Sequence, residues 1–352
     1  MTRVHQFHPV LAPGDAMSNH VFALQERLRG WGHEAHAYAV EAKPGAEGVL
    51  PYRRLFRAVE PNDLVLLHFS MGNEVFTQLA KLRARKVLVY HNITPAEFFR
   101  GINAHAATFA RLGRRQLVEL APAMELAVGV SAYNQRELDA AGYARTAQVP
   151  ILIDWRASDV PPDDAIMARW DRIHPVLLFV GRISPHKRQD DLIRMLAYYR
   201  ACIDPNARLV LVGAYRDQPQ YHARLTELVK ALHLEPAVTF AGAVSPAELV
   251  AYFRSASAFV SLSEHEGFGV PLLEAMRFEV PVIAYDAAAV GETVGDAGIL
   301  LADRDLAQAA EAVGLVLERR ELRERLVAAG RRRLEAFDPD RVAERTREVL
   351  GL

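Results

Sequence analysis

The sequence predicts an α/β protein with largely parallel sheets, divided into two domains. Apolar segments of strand length alternate with helical patterns along the chain, a rhythm typical of right-handed βαβ units. The 352 residues exceed what one hydrophobic core usually holds, which favours two domains. A Pro- and Asp-rich stretch at residues 154–171 lies between the two halves, and we predict that it is the interdomain linker.

The composition excludes several classes of protein. Hydrophobic residues make up 51% of the chain and charged residues 24%, and the net charge of −1 provides no general attraction for nucleic acid. The single cysteine, Cys202, excludes an internal disulfide and fits a reducing cytosol. The first residues contain no long apolar run, so we expect no signal peptide, no membrane span and a cytoplasmic location.

The first half contains six apolar segments that we predict to be strands: residues 3–7, 34–40, 64–69, 86–91, 126–131 and 147–151. A helix is predicted at residues 19–31, because Val21, Leu24 and Leu28 recur on one helical face.

The second half contains six further predicted strands: residues 176–180, 208–212, 238–240, 258–262, 282–285 and 299–301. After residue 303 the pattern is almost entirely helical. Asp338-Pro339-Asp340 in this region has two interpretations, a helix start capped by Asp338 or an Asp-x-Asp metal site. Such a metal site should follow a strand, whereas this one lies between helical stretches, so we favour the cap.

The segment 264–276 is the most informative part of the chain. It follows a predicted strand, contains Gly267 and Gly269, and enters a helix at Pro271. The carboxylates of Glu266 and Glu274 flank this turn, at the sheet edge where α/β proteins bind ligands. Backbone N–H groups can approach a ligand closely at glycines. The two carboxylates either bind ligand hydroxyls or are ordinary solvated or capping charges.

A second segment has the same organisation. The strand at residues 176–180 ends in Gly181-Arg182, and Lys187 follows before the next helical pattern. Arginine provides a rigid fork for phosphate oxygens and lysine a mobile point charge. Two such cations could hold a diphosphate without a metal, although most Arg and Lys residues simply lie on the surface.

Together the two segments resemble the donor-binding signature of the retaining glycosyltransferases of family four, the glycosyl transferases group 1, which have the GT-B fold. The resemblance rests on Gly181-Arg182 with Lys187 and on Glu266-x7-Glu274. Lesser matches are Leu211-Val212-Gly213, Phe240-Ala241-Gly242-Ala243-Val244 and Glu292-Thr293-Val294. These motifs cover about residues 175–300. The first half is similar chiefly in its strand–helix rhythm, His91 and Ser131.

The resemblance implies two Rossmann-like domains whose parallel sheets face a central cleft. Residues 1–155, completed by a final helix at about 338–352, would form the acceptor domain, and residues 156–337 the donor-binding domain. The implied reaction moves a sugar from a nucleotide-diphosphate sugar to an acceptor hydroxyl with retention of configuration. It requires neither a metal nor a cofactor.

The resemblance also assigns roles to residues. Arg182, Lys187, Glu266 and His91 would be catalytic, with the two cations on the diphosphate. Glu274 would accept hydrogen bonds from the nucleotide ribose. The donor site would further include Gly181, Gly213, Ala243, Val244, Gly267, Phe268, Gly269 and Val270. Of these, Ala243 and Val244 would lie beside the nucleotide base, mainly through backbone contacts. The glycine loop would hold the sugar hydroxyls beside Glu266.

Histidines are concentrated in the first half: eight of the thirteen lie within the first 105 residues. A metal cluster is conceivable, but no pair has the helical spacing of a zinc protease, and we expect most to be ordinary strand-end or surface residues. His91 is the best match to the family's active-site histidine, because it ends a predicted strand. His68 also lies near a strand end and is the alternative.

The loop after the first strand departs from the family pattern. It contains one glycine, Gly14, followed by Asp15, where many members have a glycine pair facing the donor diphosphate and the acceptor. With Ser131, these residues are the candidates for the first-domain part of the site. The loop also lacks the Gly-x-Gly-x-x-Gly spacing of dinucleotide dehydrogenases, which argues against hydride transfer.

Several alternatives stay open. A nucleotide-sugar epimerase or a non-catalytic nucleotide-sugar-binding subunit could share the fold. Residues 52–57 mix aromatic rings with arginines, and Arg111, Arg114 and Arg115 lie on a predicted helix. Such surfaces either contact an anionic inner membrane face or are simply solvated. The sequence names neither the donor base and sugar nor the acceptor, which could be a glycan, a lipid-linked sugar or a small molecule.

Overall fold

The computed structural model describes residues 2–170 and 174–352. The chain folds into two compact units. Unit 1 contains residues 1–97, 104–154 and 337–352, and unit 2 contains residues 98–103 and 155–336. Asp171, the last residue of the predicted linker, lies outside the described residues. None of the described helices combines the length and hydropathy needed to cross a bilayer.

Unit 1 begins with a seven-stranded sheet in which every neighbouring pair is parallel. Its strands are β1 (Arg3–Leu11), β2 (Glu34–Ala42), β3 (Leu50–Pro51), β4 (Leu64–Phe69), β5 (Arg85–Tyr90), β6 (Leu126–Gly129) and β7 (Thr146–Gln148). In the order β3-β2-β1-β4-β5-β6-β7, successive strands are added on one side of β1 up to β3 and on its other side from β4 onward. The strand order therefore reverses between β1 and β4. Such a reversal is the point where open α/β sheets bind ligands.

The helices of this part are α1 (Ala16–Gly30), α2 (Tyr52–Ala58), α3 (Glu74–Leu79), α4 (Ala104–Glu119) and α5 (Ala132–Ala140). Buried Leu24 and Leu28 of α1 pack against Val4 and Leu66 of the sheet. The predicted apolar face of this helix is therefore confirmed.

Unit 2 contains a six-stranded parallel sheet in the order β10-β9-β8-β11-β12-β13. The strands are β8 (Val176–Val180), β9 (Arg208–Val212), β10 (Val238–Gly242), β11 (Ala258–Ser261), β12 (Val282–Tyr285) and β13 (Gly298–Leu301). Here the reversal falls between β8 and β11. Both predicted signature segments follow these two strands, so the fold brings them to one point.

The helices of unit 2 are α6 (Asp164–Arg169), α7 (Gln189–Cys202), α8 (Pro219–Ala231), α9 (Pro246–Ser255), α10 (Val270–Arg277), α11 (Val290–Val294), α12 (Leu306–Glu318) and α13 (Arg320–Leu334). The predicted linker is not a structureless connection. Its Asp163 caps α6 by accepting from the N–H of Ile166, and the Asp163 N–H donates to Ala247 O at 3.0 Å. The boundary between the units falls at the start of this stretch, since Asp154 belongs to unit 1 and residues 155–170 belong to unit 2.

The chain ends in α14 (Pro339–Leu350), which belongs to unit 1. Asp338 accepts hydrogen bonds from the N–H groups of Asp340 and Arg341, so the capping interpretation of this segment is confirmed. Val342 and Leu350 are buried in the same core as Leu24. Unit 1 is thus completed by residues from the far end of the chain.

Candidate active site

Two loops of unit 2 meet at the reversal point between β8 and β11. Nζ of Lys187, after β8, lies 2.5 Å from Oε1 of Glu266, after β11. Their side chains are only 17% and 14% exposed, so the pair is shielded from water. The Glu264 N–H donates to His186 O at 2.8 Å and ties the same loops together. The predicted cation and carboxylate are therefore direct neighbours.

Two glycines allow the ends of β8 and β9 to approach closely. The Gly181 N–H donates to Val212 O at 2.9 Å, and Gly213 has a φ of +148°. A Cβ on Gly213 would lie 2.0 Å from the carbonyl oxygen of Gly181, which no side chain can tolerate. The strand ends consequently present bare backbone at the sheet edge beside Arg182.

Arg182 and Lys187 have different surroundings. Lys187 ends the short 3-10 turn Pro185–Lys187 and is held by Glu266. The Arg182 side chain is 56% exposed, and its guanidinium lies 3.5 Å from a carboxylate oxygen of Asp217. One cation is thus fixed in the shielded pair, whereas the other forms a more exposed ion pair with Asp217.

The loop between Glu266 and α10 is held in place from behind. The Ala289 N–H donates to Glu266 O at 3.1 Å, and Oγ1 of Thr293 donates to Phe268 O at 2.6 Å. Gly269 precedes the helix with a φ of +96°, a conformation that favours glycine. Pro271 lies in the first turn, as predicted. Gly267, Phe268, Gly269 and Val270 therefore lead directly into the helix N-terminus.

Glu274 lies one turn into α10, half-buried between Leu273 and Ala275, which are buried. Among the described residues, its carboxylate has no hydrogen bond or ion pair. Burial raises the pKa of this carboxyl to about 7. A half-buried carboxyl without a protein partner is suited to accept hydrogen bonds from ligand hydroxyls.

The remaining predicted donor residues follow β10. Gly242 has a φ of +73° and bonds the Gly213 N–H through its carbonyl at 2.8 Å. Ala243 is exposed and Val244 half-buried. The edges of β8, β9 and β10 are neighbours in the sheet, so Gly181, Gly213 and Gly242 form one continuous rim.

A histidine cluster occupies the corresponding reversal point of unit 1. His20 on α1, His68 on β4 and His91 after β5 each present a ring nitrogen within 4.8 Å of the other two. The nearest pair is Nδ1 of His68 and Nε2 of His91, which lie 3.0 Å apart. Both predicted candidates, His91 and His68, therefore belong to one hydrogen-bonded group.

The surroundings keep these rings neutral. Burial lowers the pKa of His20 to about 4, and burial together with neighbouring histidines lowers the pKa values of His68 and His91 well below the usual range. His5 and His8 are also buried. The expectation that most of these histidines lie at strand ends or on the surface is thus wrong for His5, His8 and His20. No local pattern brings them together; the parallel sheet does.

Two of the other first-unit candidates, Asp15 and Ser131, are helix caps. Asp15 accepts from the Ser18 N–H at 3.1 Å at the start of α1, and Gly14 precedes it with a φ of +84°. Ser131 is buried and accepts from the Asn134 N–H at 3.1 Å at the start of α5. Each cap fixes where a helix begins beside the strand ends.

Sequence reasoning missed a charged cluster next to the Lys187 loop. Arg188 has a φ of +51° and forms ion pairs with Asp190, Asp191 and Glu264. Arg304 pairs with Glu264 at 2.5 Å. Part of this cluster lines a cavity of about 610 Å³. Only Glu264, which begins the signature segment, could have indicated it.

Comparisons with known proteins agree with this geometry. Residues 169–333 match the family described as glycosyl transferases group 1. The chain is 30% identical, over 68% of its length, to a D-inositol 3-phosphate glycosyltransferase of Kineococcus radiotolerans, covering 59% of that protein. It is 33% identical, over 52% of its length, to a glycogen synthase of Mycobacterium tuberculosis, covering 44% of that protein.

The solved structures extend the likeness to the full chain. HepE of Anabaena in complex with UDP-glucose superposes with a TM-score of 0.80 at 18% identity, covering 100% of both chains. By contrast, this chain spans between 33% and 59% of the length of the first curated relatives it matches. The fold is therefore shared over the full length, and the family match at residues 169–333 lies within unit 2. On this evidence residues 169–333 match the glycosyl transferases group 1 family, and the chain has the GT-B fold.

Proposed function

We propose that this protein is a glycosyltransferase that moves a sugar from a nucleotide-diphosphate sugar to an acceptor hydroxyl. The observation that carries the proposal is the shielded pair of Lys187 and Glu266. It joins the two signature loops at the ligand-binding edge of unit 2, inside the segment that matches the family.

The chemistry of these side chains fits a nucleoside diphosphate leaving group. Negative charge grows on the phosphate as the glycosidic bond breaks, and Arg182 and Lys187 would stabilise it. Glu266 and the backbone N–H groups of Gly267 to Val270 would orient the sugar hydroxyls. Glu274 would accept hydrogen bonds from the ribose, and the backbone at Ala243 and Val244 would contact the nucleotide base.

The proposal includes retention of configuration, independence of metal and no cofactor. Two cations near the strand ends provide the positive charge that a metal supplies in other transferases. Activity should survive excess chelator, and an α-linked donor should give an α-linked product by NMR. Recovery only on adding Mg²⁺ or Mn²⁺, or a product of inverted configuration, would refute these parts.

Donor and location form the finer part of the proposal. HepE was solved with UDP-glucose, which supports testing UDP-sugars before GDP- and ADP-sugars.

We place the enzyme in the cytoplasm, with contact to the inner membrane face through the exposed Arg53, Arg54 and Arg57 of α2. Failure to sediment with anionic vesicles at low salt would remove that contact.

The decisive experiment combines a panel of nucleotide sugars with variants of the two cations. Losing one charge-stabilising donor typically costs on the order of 10²–10³ in rate, so Arg182→Ala and Lys187→Ala should reduce turnover that far. Lys230→Ala and Arg320→Ala are matched controls, because these cations form exposed pairs with Glu227 and Glu324.

The outcomes separate the alternatives. Near-normal activity in Arg182→Ala or Lys187→Ala would contradict the proposed roles. Release of an epimerised sugar nucleotide would indicate an epimerase. Donor binding without transfer or hydrolysis across the acceptor panel would indicate a binding subunit.

A further inference from the structure

Three linked hydrogen bonds in unit 1 all run the same way, so the donor of one bond fixes the donor of the next. Gln6 on β1 contacts Val21 O through Nε2 at 3.0 Å and Nε2 of His68 through Oε1 at 2.9 Å. Nδ1 of His68 in turn lies 3.0 Å from Nε2 of His91. Gln6, His68 and Val21 are buried, so water does not compete for these bonds.

The polarity of the chain follows from Val21. A carbonyl oxygen can only accept, so the Gln6 atom that contacts Val21 O must be the amide NH2. The other atom of that amide is therefore the oxygen, which also can only accept. The proton between Gln6 and His68 consequently lies on Nε2 of His68.

The same logic fixes the next ring. A neutral imidazole with a proton on Nε2 has a bare Nδ1, which can only accept. The proton between His68 and His91 must then lie on Nε2 of His91. His91 is left with a bare Nδ1, which is buried and has no hydrogen-bond partner among the described residues.

We propose that Gln6 and His68 are positioning residues that hold His91 in the Nε2–H tautomer, so that its Nδ1 accepts a hydrogen bond from a ligand hydroxyl. The part that concerns the ligand rests on the proposed glycosyltransferase function. The backbone supports the same arrangement. The His91 N–H donates to Phe69 O at 2.9 Å, which fixes the backbone of His91 beside β4.

A metal is the competing use of the cluster, and the hydrogen bonds oppose it. Nδ1 of His20 accepts from the Leu152 N–H at 2.8 Å, which places the His20 proton on Nε2. The bare nitrogen of His68 is occupied by His91. An ion bound by all three rings would therefore have to break both bonds and change two tautomers.

The test is the tautomer itself, read from two-bond ¹H–¹⁵N correlations in the full-length protein labelled with ¹⁵N-histidine. The His91 signals are assigned by their loss in His91→Gln. We expect the Nε2–H form of His91 in the unmodified protein, and a mixture containing the Nδ1–H form in His68→Phe and in Gln6→Met. His8→Phe is the matched control, because His8 hydrogen-bonds Ser70 and takes no part in the bonds that join Gln6, His68 and His91. This variant should leave the His91 tautomer unchanged.

Kinetics provide the second measurement. His68→Phe should lower kcat by about tenfold, as expected when a charge-free hydrogen bond to the reacting sugar is lost, with little change in donor KM. The spectra need no substrate, so a correct tautomer in a protein that transfers no sugar would refute the glycosyltransferase function and leave the positioning role intact.

Three results would overturn the inference: an Nδ1–H form of His91 in the unmodified protein, an unchanged tautomer in both Gln6→Met and His68→Phe, or stoichiometric Zn²⁺ binding that removes the Nε2–H signals of His20 and His91.

Discussion

At the scale of a single residue, burial changes the acid–base chemistry of Glu274. Burial raises the pKa of its carboxyl to about 7, so near neutral pH the unliganded protein holds it partly protonated. A ribose hydroxyl donates its hydrogen bond to the ionised form. Ligand binding in the proposed role therefore requires the proton to leave.

This linkage predicts a pH-dependent donor affinity. Below pH 7 the carboxyl must lose a proton to bind, so the Kd of a nucleotide sugar should rise about 20-fold from pH 7.5 to pH 5.5. Calorimetry measures it, and a nucleotide sugar is preferred because its diphosphate diester does not titrate in this range.

Two variants control this prediction. Glu274→Gln should bind weakly with a flat pH profile, whereas Glu266→Gln should keep the slope. Glu266→Gln should also spare binding of the free nucleoside diphosphate, because its proposed partner is the sugar. A steep profile in Glu274→Gln would show that another group is responsible.

The sequence indicated some of these residues and not others for a physical reason. Lys187, Glu266 and Glu274 lie in short segments that follow strands, so their placement depends on local patterns and on one topological rule. The histidine cluster depends on pairing between β1, β4 and β5 and on the docking of α1. No spacing within the chain records those long-range contacts.

Among the secondary-structure elements, the end of β9 has the strictest requirement. The backbone of Gly213 passes so close to Gly181 that an added Cβ would overlap the carbonyl group. The φ of +148° at Gly213 also disfavours any other residue.

Gly213→Ala should therefore destabilise unit 2 on the order of 3 kcal/mol and displace the neighbouring Arg182 loop. Gly30→Ala, at the end of α1 where a Cβ meets no atom within 4 Å, is the matched control and should be nearly neutral. Urea denaturation measures both. Equal stability of the two variants would mean that the strand ends relax easily.

The first and last residues of a strand were predictable where burial alone determines them. The strands at 64–69, 176–180, 208–212 and 282–285 match their predicted limits. Limits shifted where side chains intervene: α1 begins at Ala16 rather than residue 19, because Asp15 caps it. Residues 164–169 of the predicted linker form α6, because Asp163 provides a cap and a backbone bond to Ala247.

Across the full chain, unit 1 depends on α14. Leu350 is 3% exposed and packs in the core that includes Leu24 and Leu66. Leu350→Ala should cost about 2–5 kcal/mol in unfolding free energy, as usual for a buried leucine. Leu315→Ala is the control, because Leu315 is 42% exposed, and it should change stability by less than about 0.5 kcal/mol.

Trp31 offers a local reporter for this prediction, because the guanidinium of Arg347 on α14 lies 5.7 Å from its ring centroid. In Leu350→Ala with Trp155 and Trp170 both replaced by Phe, Trp31 fluorescence should change at lower urea than in a parent protein that carries the same two replacements. An unchanged midpoint would mean that α14 adds little to unit 1.

Acid should also destabilise unit 1. Burial lowers the pKa values of His8 and His20 to about 4, and those of His68 and His91 well below the usual range. As pH falls below about 6.5 the unfolded chain binds protons that the folded form rejects, so each histidine removes at most about 1.4 kcal/mol per pH unit.

Urea denaturation at pH 7, 6 and 5 tests this. His20→Phe should make the loss of stability between pH 7 and pH 5 less steep by about 1 kcal/mol per pH unit. Leu315→Ala changes no titratable group and should keep the parent slope. Identical slopes in the two variants would contradict the assignment.

The return of the chain at α14 has a consequence for synthesis on the ribosome. Residues 1–154 emerge first, yet their core still lacks Val342, Ala343 and Leu350. Unit 2, which is nearly continuous in sequence, can complete its own core earlier. The nascent first unit therefore carries an uncovered apolar surface until α14 has been synthesised, and it is the part of the chain that a chaperone would hold.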